Sequence, residues 1–144
     1  MEQAHLEHIN FTVPNPNRTA DLLCKLFGWK IRWKGEALDR GFTVHVGTSR
    51  EYIALYRPKE GSELRPFQRN RTGHEIGGLN HIALVVDDLE ATERRILKAG
   101  FKTSSHGDYE PGRRFYFLDD DGLEYEVVSY ARPMSPMEGA CFTK

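Results

Sequence analysis

The chain contains two copies of one segment, and this repeat limits its possible folds more than any other feature. The sequence LEHINFTV, which begins at Leu6, returns as LNHIALVV, which begins at Leu79, with His-Ile at the same place in both copies. A repeat with this spacing indicates that one supersecondary unit has been built twice. Any fold proposed for the chain must therefore consist of two similar halves.

Each half begins with a predicted strand and continues with a helical pattern of apolar residues. Asn17 and Asp88 stand where they can cap the two helices, and Gly28 and Gly100 stand where the helices should end. Three runs with β-strand character follow in each half, at 29–34, 41–47 and 51–57, and again at 101–105, 113–119 and 123–131. Each half is therefore predicted to be a βαβββ module of an α+β fold.

The 144 residues fit one domain made of these two modules. We assign module 1 to 5–57, a linker to 58–77, module 2 to 78–131 and a C-terminal tail to 132–144. The linker is rich in proline and glycine and contains the arginines Arg65, Arg69 and Arg71, which could approach an anionic substrate.

Composition excludes several classes of protein. The formal net charge is −1, from 20 basic and 21 acidic residues, so no electrostatic footprint for nucleic acid is present. No apolar run approaches the roughly 18 residues of a membrane helix, and the first residues lack the pattern of a secretory signal. We therefore expect a cytoplasmic protein with neither nucleic acid nor membrane as partner. The two cysteines, Cys24 and Cys141, form no CxxC pair, and Cys24 is expected to be a core thiol.

Strand alternation separates the polar residues of the repeat from its apolar ones. Ile9, Phe11 and Val13 should share the side that meets the helix, which leaves His8 on the opposite side. His81 occupies the equivalent position in the second copy. Glu126 lies in the centre of the last predicted strand, where a carboxylate requires a surface position, a hydrogen-bond partner or a metal.

Two histidines and one carboxylate can occupy one face of an octahedral metal ion and leave positions open for substrate and for water or oxygen. This donor set favours Fe(II), while Mn(II), Ni(II), Co(II) and Zn(II) remain chemically possible. The equivalent positions of the two histidines in the repeat, together with the central glutamate, favour a metal site over a purely structural role.

Over residues 5–131 the sequence resembles the vicinal oxygen chelate superfamily, also called the glyoxalase, bleomycin-resistance and dioxygenase superfamily. The resemblance rests on the paired modules, on His-Ile in both first strands, and on the segment FYFLDDDGLEYE, residues 115–126. In that segment Asp120 stands where the family has proline. The resemblance implies that the modules form a half-barrel around one divalent metal held by His8, His81 and Glu126.

Glyoxalase-like members carry a fourth metal ligand, but this chain has Ala54 at the corresponding position. A three-ligand site is more similar to extradiol dioxygenases or to fosfomycin-modifying enzymes. Tyr116 matches the tyrosine that extradiol members carry ten residues before the glutamate ligand, where it contacts the substrate, and His45 is a candidate for proton transfer. The predicted pocket lining consists of Asn10, Tyr52, Tyr56, Arg114 and Tyr130.

Three functions remain open at this point. The first is a dioxygenase that acts on a small substrate with two neighbouring oxygens, and the second is a metal-dependent lyase or isomerase of glyoxalase type. The third is a metal-free protein that binds small molecules, similar to bleomycin-resistance members. We expect a homodimer, in which modules pair either within one chain or by exchange between two chains.

Overall fold

The computed structural model of the chain describes residues 1–67, 73–109 and 112–131. Arg69, Arg71, Cys141 and the predicted tail lie outside the described residues. The chain divides into two compact units, residues 1–68 and 69–144, each of which is described by itself. No helix in the described ranges is long and apolar enough to span a membrane.

Unit 1 is a four-stranded sheet with one long helix. Strand β1 (His8–Thr12) lies parallel to β4 at one edge of the sheet, and the other neighbours are antiparallel, which gives the order β1-β4-β3-β2. The remaining elements are α1 (Pro16–Phe27), β2 (Lys30–Ala37), a short 3-10 turn (Leu38–Arg40), β3 (Gly41–Gly47) and β4 (Tyr52–Arg57).

Unit 2 repeats this topology in the second half of the chain. Strand β5 (Ile82–Val85) lies parallel to the last strand, and the sheet order is β5-β8-β7-β6. The other elements are α2 (Leu89–Lys98), β6 (Thr103–Tyr109), β7 (Gly112–Leu118) and β8 (Glu124–Ser129). The predicted α+β class and both βαβββ modules are confirmed.

The strands place the repeat in matching register. Ile9 lies opposite Ile53 in unit 1, and its repeat equivalent Ile82 lies opposite Tyr125 in unit 2. Strand β2 runs three residues further than predicted, because its pairing with β3 continues to Ala37 and Gly41. Strand β6 runs four residues further, because its pairing with β7 continues to Tyr109 and Gly112. The apolar faces are buried, with Leu23, Val44 and Leu55 in one core and Ile96, Phe115 and Val127 in the other.

One predicted helix start is wrong. Asn15, not Asn17, caps α1, since its Oδ1 accepts a hydrogen bond from the Arg18 amide at 3.1 Å. Pro16 takes the first helical position, where its fixed φ is suited and its missing N–H is not needed, so the helix begins earlier. Asp88 caps α2 as predicted, because its Oδ1 accepts from the Ala91 amide at 2.9 Å.

Helix α1 ends as its sequence predicted, and its cysteine is partly buried. Gly28 has φ 69° and terminates the helix in the left-handed conformation that glycine adopts without steric cost. Cys24 lies on the half-buried side of α1, and burial raises the pKa of its thiol.

Helix α2 is joined to β6 by a carboxylate. Glu93 Oε1 accepts a hydrogen bond from Thr103 Oγ1 at 2.5 Å and lies 2.5 Å from His106 Nε2. Burial by itself raises the pKa of Glu93, but the bonds to Thr103 and His106 outweigh it and hold the pKa below the ordinary value of 4.5. The ionised carboxylate therefore links the helix to the edge strand of its sheet.

Substitution Glu93→Gln should reduce the acid sensitivity of the protein. A lowered folded pKa contributes stability above about pH 4.5, and this stability is lost as the pH falls through the folded value. The difference in unfolding free energy between wild type and variant should thus be largest near neutral pH and shrink in acid. Urea unfolding across this range measures it. The exposed Glu36→Gln serves as control, and an equal pH dependence in both variants would contradict the assignment.

Candidate metal and substrate site

The predicted ligands of unit 2 meet on the sheet face turned away from α2. His81 directly precedes β5, and Glu126 lies in the middle of β8, opposite Ala83. Nε2 of His81 is 2.9 Å from Oε2 of Glu126. The glutamate side chain is 9% exposed and the histidine 35%, so the imidazole stands between the buried carboxylate and solvent.

The second oxygen of Glu126 is held by an arginine from the neighbouring strand. Arg114 Nη1 donates to Glu126 Oε1 at 2.8 Å, and the arginine side chain is only 12% exposed. The guanidinium also donates to the Gly112 carbonyl and lies 4.7 Å from the centre of the Tyr109 ring. Since both carboxylate oxygens have partners, the charge of Glu126 is compensated where burial alone would disfavour it.

Tyr116 completes this group of side chains. It lies directly opposite Glu126 in the pairing of β7 with β8, and its ring meets that of His81 edge-on at 5.6 Å. Burial, followed by the nearby charge of Glu126, raises the pKa of the Tyr116 hydroxyl. The phenol therefore keeps its proton at neutral pH and is available as a hydrogen-bond donor.

The equivalent face of unit 1 carries aromatic rings in place of the carboxylate. His8 stacks on Tyr52 at 5.0 Å, and Tyr52 stacks on His45 at 4.6 Å. The Tyr52 hydroxyl donates to Glu7 Oε1 at 2.7 Å, and the guanidinium of Arg32 lies 4.5 Å from the Tyr52 ring centre. His8 is thus held by stacking on this face, with Tyr52 fixed by its own hydrogen bond.

His45 is a neutral base in this setting. Burial is the main cause that lowers its pKa, and electrostatic interactions with His8 and Arg32 act in the same direction. An imidazole without a proton on one nitrogen can accept a proton from a substrate. The prediction that His45 takes part in proton transfer is consistent with this state.

The register of strand pairing shows which residues of the two repeat copies are equivalent. His45 lies opposite Ala54, and Tyr116 lies opposite Glu126, so His45 is the equivalent of Tyr116. The spacing of the two first strands alone would match His45 with Leu118, which is two residues too far along. The second copy is two residues shorter between its first and third strands. The alanine at the carboxylate position of unit 1 is confirmed.

The other predicted pocket residues divide into two groups. Asn10 and Tyr56 share the face of His8, since Asn10 lies opposite Ala54 and Tyr56 lies opposite Thr12. Tyr130 follows the end of β8 and is 59% exposed. Arg32 was not among the predicted pocket residues. A bulge between Ile31 and Trp33 breaks the strand alternation, so the sheet face of Arg32 could not be predicted from it.

The donor chemistry of unit 2 fits a divalent metal in part. An imidazole nitrogen and a carboxylate converge there, and these are two of the three donors of a facial triad. Within the described residues of either unit, no group of three His, Cys, Asp or Glu side chains is close enough to hold an ion.

Substitution Arg114→Gln should lower the free energy of unfolding, because it leaves the buried carboxylate of Glu126 with His81 as its remaining partner. Arg113→Gln is the matched control. Arg113 pairs with Glu90, which is 55% exposed, so loss of this surface pair should lower the free energy of unfolding clearly less than loss of Arg114. Urea denaturation of the metal-free protein measures both. Equal losses in the two variants would show that Glu126 does not depend on Arg114.

The chain is 28% identical to the mitochondrial methylmalonyl-CoA epimerase of Dictyostelium discoideum over 110 residues, which cover 71% of this chain and 65% of the epimerase. The match thus spans less than two thirds of that relative.

Solved structures share the fold. A glyoxalase/bleomycin resistance protein/dioxygenase domain from Frankia has a TM-score of 0.73 at 21% identity, covering 91% of this chain and 100% of that one. An antibiotic-binding protein from Streptomyces has a TM-score of 0.67 at 15% identity, covering 90% and 98%. Residues 7–117 also match a family model, so the chain belongs to the glyoxalase/bleomycin resistance protein/dioxygenase superfamily.

Proposed function

We propose that this chain is a metal-dependent enzyme whose small substrate binds the metal through two neighbouring oxygens. The observation that carries the proposal is the contact between His81 and Glu126 on the open face of unit 2. His8 occupies the equivalent position of unit 1 and is the third donor in this proposal. His8, His81 and Glu126 would together hold one divalent ion, with Fe(II), Mn(II), Ni(II), Co(II) and Zn(II) compatible with the donor set.

The bound metal would supply Lewis acidity to the substrate oxygens. The residues of the chain have separate tasks. Arg114 holds Glu126 in place and limits its negative charge. Tyr116 keeps its proton and donates a hydrogen bond, and His45 is the neutral imidazole that accepts a proton from the substrate.

For the reaction itself we favour proton transfer over oxygen chemistry. An isomerase or lyase that removes a proton next to a carbonyl needs a base such as His45, and the relative from Dictyostelium is named as an epimerase. The extradiol dioxygenase reaction, which the sequence put first, now rests on the position of Tyr116 beside His81 and Glu126. The two reactions differ in their need for O₂.

Metal content tests the ligand set. Protein loaded with each candidate ion should retain about one ion per chain after desalting. Substitutions His81→Ala and Glu126→Gln should each abolish retention, because each removes a donor from a three-donor site. The exposed His5→Ala is the matched control and should retain the ion. Elemental analysis gives the stoichiometry, and unchanged retention in either ligand variant would exclude that ligand.

Anaerobic turnover tests the reaction class. Methylmalonyl-CoA and other 2-substituted acyl thioesters, incubated in D₂O without oxygen, should exchange the proton next to the carbonyl when the loaded enzyme is present. His45→Asn should slow exchange by about a hundredfold or more, because general-base catalysis contributes on that scale. Proton NMR follows the exchange. Ring opening of a catechol only under air, without proton exchange, would favour the dioxygenase instead.

A binding role without metal is the second candidate. The observation in its favour is that Arg114 and His81 already satisfy both oxygens of Glu126. The Streptomyces structure, named as an antibiotic-binding protein, shows the same fold. Ligand binding that is equally tight before and after chelator treatment would support this role over the enzyme. We also propose a homodimer, which light scattering of the metal-loaded chain measures directly.

A further inference from the structure

We propose that unit 1 carries a second binding site, at the C-terminal end of β4, which takes a small organic anion with a flat apolar part. A cavity of about 430 Å³ opens there, lined by Asp39, Arg40, Tyr56, Pro58, Lys59 and Ser62. This volume lies in the range of small-molecule sites. All six residues belong to unit 1. The cavity lies toward the C-terminal end of β4, about 13 Å along the strand from Tyr52. Its residue Tyr56 shares the sheet face of His8, but the lining includes none of the proposed metal ligands.

The charge of the lining selects an anion. Arg40 and Lys59 contribute two positive charges, and Asp39 contributes one negative charge. A guanidinium and an ammonium at one cavity are the usual partners of phosphate and carboxylate groups. With Asp39 included, the cavity lining has a net charge of one positive unit. This charge suits a small anion and disfavours a ligand with a high negative charge.

Tyr56 forms a flat wall of the cavity. Its ring packs against the backbone at Gly41, where an added Cβ would lie 2.5 Å from the ring carbon Cε2 and 2.7 Å from the hydroxyl oxygen. The hydroxyl donates to the Leu38 carbonyl at 3.4 Å, so the hydroxyl end of the ring is held in place. A fixed aromatic surface beside Pro58 favours a planar or apolar portion in the ligand.

The two charged walls come from tight turns. Asp39 (φ 56°, ψ 38°) and Arg40 (φ 59°) are consecutive residues in the left-handed region, which is unfavourable for side chains that carry a Cβ. Strained backbone of this kind is concentrated at ligand sites. On the other side, the Ser62 amide donates to the Lys59 carbonyl at 3.2 Å and closes the turn that carries the lysine.

Phenyl phosphate combines the required charge with a flat apolar group and is the probe for this site. Isothermal titration of the full-length, metal-free chain should show one saturable site. Arg40→Gln and Lys59→Gln should each weaken binding about tenfold, because each removes a charge-assisted contact. Asp39→Asn should strengthen binding several-fold, because it removes the one repulsive charge while asparagine tolerates the left-handed backbone.

Arg50→Gln is the matched control. Arg50 is an exposed cation of unit 1 in the turn between β3 and β4, at the end of β4 remote from the cavity, so its loss should leave binding unchanged. Circular dichroism and thermal melting establish that every variant is folded. Amide NMR shifts at Ser62 and Tyr56 during the titration should locate the ligand at the cavity.

Three outcomes would overturn the proposal. They are the absence of saturable binding, equal loss of binding in Arg50→Gln and Arg40→Gln, and equal affinity for phenol, which lacks the charge. Binding in the Glu126→Gln variant should equal that of the wild type, since Glu126 belongs to unit 2. Failure of the anion site and failure of the metal site are therefore separate results.

Discussion

The parallel pairing of the first and last strands in each unit is the constraint on which the remaining structure depends. A parallel connection requires a crossover, and α1 and α2 occupy the sheet face where that crossover lies. The opposite face is left for polar side chains. His8 then stands beside Tyr52, and Ala83 stands beside Glu126. The same pairing that buries the core thus exposes the residues of the candidate site.

The two units use this common frame for different chemistry. In unit 2 the central position holds Glu126, and the buried carboxylate requires Arg114 and His81 for compensation. In unit 1 the same position is Ala54, which leaves space for His8, Tyr52 and His45 to stack. The duplicated fold therefore carries a compensated carboxylate on the polar face of one unit and stacked imidazole and phenol rings on the equivalent face of the other.

Much of the fold could be predicted because its signals are local or repeat in the sequence. Strand alternation placed His8 and Glu126 on the polar faces, and glycine marked the end of α1. The predicted start of α1 was too late, because the prediction took Asn17 as the cap. Pro16 occupies the first helical position, and Asn15 caps the helix. Arg32 was missed since a bulge shifts its strand out of simple alternation.

The sequence by itself determined that two βαβββ halves exist, which residues face each helix, and that Glu126 needs a partner. These conclusions depend on strand and helix periodicity, on turn residues and on the cost of burying an unpaired carboxylate, all of which act within short segments of the chain. Only the tertiary structure decided that Arg114 is that partner, that His45 corresponds to Tyr116, and that Asp39 and Lys59 border one cavity. These relations join residues that are distant in sequence. They depend on strand register and turn geometry, in which a shift of one residue would change every neighbour.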